Sequence, residues 1–142
     1  MEEEKEVLRK YIEKRGLRKT NQRYKVLEVF LSNEEHLSVD ELYSLVEKKY
    51  PEISHSTVFR SMKVIFDAGL ASKMMGCDSI IRYEHLYKHS QHGHMICSNC
   101  HKMIEFDDSK IEELLKKAAK KENFKAQIFK TRILGLCKKC AK

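Results

Sequence analysis

Apolar residues recur at helical spacing through the first half of the chain. Val7, Leu8, Tyr11 and Ile12 predict a first helix, with Gly16 placed to cap its C-terminus. Thr20 is placed to cap a second helix that carries Val26, Leu27, Phe30 and Leu31. Ser38-Val39-Asp40-Glu41 is a capping box, in which hydroxyl and carboxylate reciprocally satisfy free amides. The helix it opens buries Leu42, Leu45 and Val46 and stops before Pro51, which lacks a backbone donor. Ser54 caps a fourth helix that ends at Gly69 and has two faces. Val58, Met62, Ile65 and Phe66 line the inward one; Ser56, Phe59, Arg60 and Lys63 line the outward one. Leu70–Met75 and Ser79–Tyr83 then flank the turn signal Gly76-Cys77-Asp78 and predict a β-hairpin.

The pattern changes after this hairpin. Residues 84–94 hold little apolar material and much histidine, and read as a linker or ligand-bearing loop. His94–Cys97, Lys102–Phe106 and Lys125–Leu134 read as strands. Ser109–Glu122 reads as a helix with Ile111, Leu114, Leu115 and Ala118 on one face. A unit of about 55 residues buries too little apolar surface to stand alone, so a metal, a partner subunit or both must staple it.

Composition narrows the class. In 142 residues no apolar run approaches a membrane span, and Met1-Glu2-Glu3-Glu4 is unlike a secretory signal. With five cysteines, an odd number, a reducing cytoplasmic location is expected. Net charge is +7, and from Arg9 to Lys25 eight basic residues accompany one acid, Glu13. Such a block suggests phosphates as partners, with a solvated helix face as the bland alternative. The outward stripe of the fourth helix suits a major groove, where Arg60 can read guanine and Phe59 can meet a thymine methyl.

Two Cys-x-x-Cys pairs, Cys97/Cys100 and Cys137/Cys140, are separated by 36 residues. Two such knuckles complete a tetrahedral thiolate site with no open position, which makes the expected Zn(II) structural. Five of the seven histidines (His85, His89, His92, His94 and His101) fall within 17 residues. His92 and His94 alternate, so in an extended segment both project to one side. Nitrogen and oxygen donors there suit Fe(II), Mn(II), Ni(II) or Zn(II). His89 and His101 also read as surface residues, His55 as the start of the recognition helix, and Cys77 as a bystander.

Together these segments resemble the ferric uptake regulator family. The resemblance rests on Gly16-Leu17-Arg18-x-Thr20-x-Gln22-Arg23, His36-Leu37-Ser38-Val39-Asp40-Glu41-Leu42-Tyr43 and Ser56-Thr57-Val58-Phe59-Arg60. It continues through Arg82-Tyr83-Glu84, His92-Gly93-His94, Cys97-x-x-Cys100 and Ile104-Glu105-Phe106. It implies an α+β fold with a winged helix-turn-helix DNA-binding domain over 1–83 and a hinge and ligand loop over 84–94. A small α/β dimerisation domain with the four-cysteine zinc site would follow over 95–142. It further implies a homodimeric, metal-dependent repressor on a palindromic duplex operator, with neither membrane nor small organic substrate as partner. Arg18, Thr20, Gln22, Arg23, Ser56, Thr57, Phe59, Arg60 and Lys63 would face DNA. A second divalent metal, Fe(II) by preference and otherwise Mn(II) or Zn(II), would be held by His36, Glu84, His92, His94 and Glu105. Its occupancy would set the interdomain angle and so the spacing of two recognition helices.

Three departures from the family pattern bear on this. Phe59 stands where a tyrosine is usual. One extra residue between Glu84 and His92 lets His85 or His89 replace Glu84 as hinge ligand. Gln91, Gly93 and Phe129 stand where a further metal site needs donors, leaving only Glu112. Glu84 in place of a cysteine points away from zinc sensing, and Glu105 in place of aspartate points away from peroxide sensing. Both remain alternatives on the same scaffold. A small zinc enzyme would need a His-x-Glu and Pro-Cys-x-x-Cys pairing that the chain lacks, so no enzyme is expected. A zinc store would leave the outward stripe unexplained.

Overall fold

The computed structural model describes every residue except 34, 77, 87–91 and 128. Helices and strands follow in the order α1 (Glu2–Lys14), α2 (Asn21–Leu31), β1 (Leu37–Ser38), α3 (Val39–Lys49), α4 (His55–Asp67), β2 (Ala71–Met75) and β3 (Ile81–His85). The chain continues through β4 (Gly93–Cys97), β5 (Met103–Phe106), α5 (Ser109–Lys121) and β6 (Arg132–Gly135). It divides into two compact units, Met1–Met75 with Ser79–His89, and Gly76–Asp78 with Ser90–Lys142.

The first unit is a helical bundle with a small sheet. Leu8 and Ile12 of α1, Val26, Leu27 and Phe30 of α2, Leu42 and Val46 of α3, and Val58, Met62 and Ile65 of α4 form its core. Local chemistry fixes most element ends. The Ser38/Glu41 capping box is fully formed, and the Ser54 hydroxyl accepts from the Thr57 amide. Gly16 and Gly69 adopt left-handed φ of 63° and 76°. Each lets its own amide and the next turn back onto carbonyls of the helix it ends: Gly16 to Glu13 and Leu17 to Ile12, Gly69 to Phe66 and Leu70 to Ile65. Thr20 does occupy the N-cap of α2, but its side chain makes no capping bond.

Strands β1, β3 and β2 form one antiparallel sheet with β3 in the middle. β1 is a two-residue strand that the amphipathic pattern does not reveal, because it runs directly into the capping box. β3 begins two residues later than expected. Ser79 has φ of 62°, so it belongs to the turn rather than to the ladder.

In the second unit β4 is central, antiparallel to β5 and parallel to β6. Parallel pairing requires a crossover, and α5 supplies it. The last strand accordingly starts at Arg132, not at Lys125; the described residues between α5 and β6 form no strand. Little here is buried. α5 buries none of its residues, and Ile96 and Cys97 are the buried apolar side chains among those described.

Candidate metal centre and nucleic-acid interface

The two knuckles converge. Cys97 closes β4 and Cys100 follows in a turn; Cys137 and Cys140 lie just beyond β6, whose Gly135 pairs with Cys97. The four sulfurs lie within 4.8 Å of one another, and Cys100 Sγ is 3.7 Å from Cys137 Sγ. That spacing is far too long for a disulfide and matches the edge of about 3.8 Å in a tetrahedron with Zn–S bonds of about 2.3 Å. Backbone amides prepare the site electrostatically. The Cys100 amide, with that of Cys137, brings the Cys97 thiol down to about 6. The Cys140 amide lowers Cys137. Asn99 pulls on Cys140, but the Cys137 and Cys100 thiols beside it outweigh this and leave that thiol at about 11. A cation among the sulfurs would relieve this mutual repulsion.

The other expected donors form two local groups. In the first unit His36, immediately before β1, donates from Nε2 to Glu84 Oε2 of β3 at 2.9 Å. In the second unit the His92 and His94 rings meet edge to face with centroids 4.7 Å apart. His92 Nε2 is 3.8 Å from Glu105 Oε1, and His94 and Glu105 are direct cross-strand neighbours. His85, offered as an alternative hinge ligand, directs Nε2 at the Phe30 carbonyl at 2.7 Å and packs against the Phe30 ring. His89 and Cys77 lie outside the described residues. Of the residues bearing on a further metal site, Gly93, Glu112 and Phe129 line a cavity of about 30 Å³ with His92, Phe106 and Ile111; Gln91 is not described.

The outward face of α4 is presented as its spacing suggested. Ser56, Phe59, Arg60 and Lys63 are all exposed, Phe59 at 56%. Thr57 is only half exposed, and its hydroxyl lies 3.0 Å from that of Ser54, inside the cap. Arg18 is exposed, whereas half-buried Arg23 donates from Nη1 to the Arg18 carbonyl and braces that loop. Burial lowers the Arg23 pKa. Gln22 and Thr20 are half-buried.

The basic block is less cationic than its count. Arg9 bridges Glu6 and Glu13, Lys19 also pairs with Glu13, and Lys25 pairs with Glu52 at 2.7 Å. Glu6 and Glu52 lie outside the window in sequence, so the window alone overstates the charge. Ser72 escaped notice in the sequence altogether, although its hydroxyl donates to Glu84 Oε1. Pairing it with Glu84 requires the strand register, which the longer turn shifts.

A helical unit with a hairpin wing and an exposed cationic helix face, followed by a small sheet unit with a four-thiol cluster, defines a metal-dependent regulator. The ferric uptake regulator family model matches residues 14–133. Over 127 residues the chain is 32% identical to the peroxide operon regulator of Bacillus subtilis, covering 89% of this chain and 86% of that protein. Its fold matches the ferric uptake regulator Fur of Helicobacter pylori with a TM-score of 0.85 at 32% identity, covering 99% of this chain and 93% of that one. The peroxide stress regulator of Campylobacter jejuni matches at 0.71 and 27% identity, covering 95% and 97%. The chain belongs to the ferric uptake regulator family. It is a metal-responsive transcriptional regulator on a mixed helix-and-sheet fold, and members of this family are DNA-binding dimeric regulators rather than enzymes. No helix among the described residues is long and apolar enough to cross a membrane.

Proposed function

We propose that this regulator is of the iron-sensing type and represses transcription in the cytoplasm as a homodimer on a palindromic operator. Structural Zn(II) would be held by Cys97, Cys100, Cys137 and Cys140, and the sensory ion by His36, Glu84, His92, His94 and Glu105. The observation that carries the reading is the His36–Glu84 pair. Its 2.9 Å separation suits two neighbouring ligands of an octahedral ion, which at bond lengths of about 2.1 Å lie about 3.0 Å apart. Imidazole and carboxylate donors favour Fe(II) or Mn(II), whereas the thiolate cluster favours zinc. Because donors come from two separately folded units joined between β3 and β4, occupancy favours one arrangement of those units and so one affinity for DNA.

The exposed face of α4 supplies the groove contacts, with Arg60 and Lys63 as cations and Phe59 as the apolar one. Dimerisation through residues 95–142 has support in the sheet register, which aligns Ile104, Met95 and Ile133 as an exposed apolar row across β5, β4 and β6.

Anaerobic titration of duplex DNA with Fe(II), Mn(II) and Zn(II) tests the proposal, alongside metal analysis. One tight zinc per chain, DNA binding switched on by a second ion, and loss of that switch in His92→Ala are expected. DNA binding indifferent to added metal would overturn it. A peroxide-sensing reading has support in the Bacillus subtilis and Campylobacter jejuni relatives and in the adjacent His92 and His94 rings. Its signature is added oxygen mass on a peptide carrying these histidines after peroxide treatment of the Fe(II) protein.

A further inference from the structure

Ser72, Glu84 and His36 form a row across the sheet of the first unit. β3 is the central strand, and its ladder sets Ser72 of β2 opposite Glu84. On the other side Leu37 pairs with Tyr83, so one step further His36 stands opposite Glu84. Directly opposed residues project from the same face with Cβ atoms about 5 Å apart, which brings all three side chains into contact. The Ser72 hydroxyl, on a residue only 5% exposed, donates to Glu84 Oε1, while His36 Nε2 faces Oε2.

The two carboxylate oxygens are thereby divided between two tasks. A carboxylate free at both oxygens can bind a divalent ion through one or both of them and can rotate between those modes. Here one oxygen is held by a buried hydroxyl, in a bond strengthened by the charge on its acceptor. The other is turned toward the imidazole. We propose that Ser72 is a positioning residue for the sensory metal: by holding Glu84 Oε1 it presents Oε2 alone, beside His36 Nε2, as a one-oxygen ligand. This rests on the reading of His36 and Glu84 as metal ligands. It assigns to the wing a part in metal recognition, since Ser72 lies on the first strand of the hairpin and binds no metal itself.

The test uses the full chain with its four-cysteine site loaded with zinc. Mn(II) is titrated in and free ion is counted by electron paramagnetic resonance; Co(II) is added separately and its visible bands report coordination. S72A should weaken Mn(II) binding about 10- to 100-fold, the usual effect of losing an outer partner of a ligand. It should also alter the Co(II) bands, and S72T, which keeps a hydroxyl, should restore both. If S72A does not fold, S72T against S72V makes the same comparison, because the two differ only in hydroxyl against methyl. Wild-type Mn(II) affinity and Co(II) bands in the hydroxyl-free variant would overturn the role of Ser72. E84Q separates the two levels. If E84Q loses Mn(II) while S72A binds normally, only the positioning role fails; if E84Q binds Mn(II) as the wild type does, Glu84 is no ligand and both readings fall.

Discussion

Replacing Cys137 with serine takes one of four donors from the cluster that joins the end of β4 to the chain beyond β6. A bound structural zinc contributes on the order of 10–16 kcal/mol to folding, so an even share per donor is about 2.5–4 kcal/mol. The second unit has little to set against that loss. Among its described residues Ile96 and Cys97 are the buried apolar side chains, and α5 buries none. Full burial of an isoleucine contributes only about 1.5–3 kcal/mol. The first unit, by contrast, packs fifteen apolar residues into its core. Cys137→Ser should therefore release zinc and unfold the second unit while the first stays folded. Calorimetry resolves the two transitions, and amide hydrogen exchange locates them. Protection should vanish over Gly93–Cys97 and Arg132–Gly135 and persist in α4. Unchanged protection of β4 in the zinc-free variant would refute the argument, because packing alone would then be holding the sheet.

Arg60→Ala should weaken operator binding by about 1–3 kcal/mol, as gel-shift titration measures, and leave Mn(II) affinity unchanged. Gly93→Ala, between His92 and His94, would drive a Cβ into the tip of the Phe106 ring. Displacing that ring should cost about 1–3 kcal/mol in thermal or denaturant unfolding and weaken Mn(II) binding, whereas a second substitution, Phe106→Leu, should recover part of both. Hydrogen bonding from Arg9 lowers the Glu6 carboxyl to about 2. Its contribution is therefore complete above the ordinary value of about 4.3 and is lost as pH falls from there toward about 2. Glu6→Gln should flatten the acid limb of the stability curve in that window; an unchanged acid limb would show the pair contributes nothing.

What the chain alone determined is what depends on neighbours three or four residues apart. The Ser38/Glu41 capping box, the left-handed Gly16 and Gly69, and the two stripes of α4 are such features. Helical geometry converts their spacing directly into position, and no distant residue is needed. The Cys-x-x-Cys knuckles were equally legible, since two sulfurs three residues apart in a tight turn already aim at one point.

The tertiary structure decided everything that required pairing across long loops. Read with a three-residue turn, the hairpin would set Met75 opposite Ser79; the structure sets it opposite Ile81, because Ser79 turns left-handed. That shift brings Ser72 to Glu84. Lys25 lost its apparent excess of charge to Glu52, 27 residues away in the chain. β6 starts late because a strand parallel to β4 can form only after α5 has carried the chain back. A side chain's local spacing states which face it occupies; only the closed sheet states what stands opposite, and that choice rests on burial summed over the whole unit.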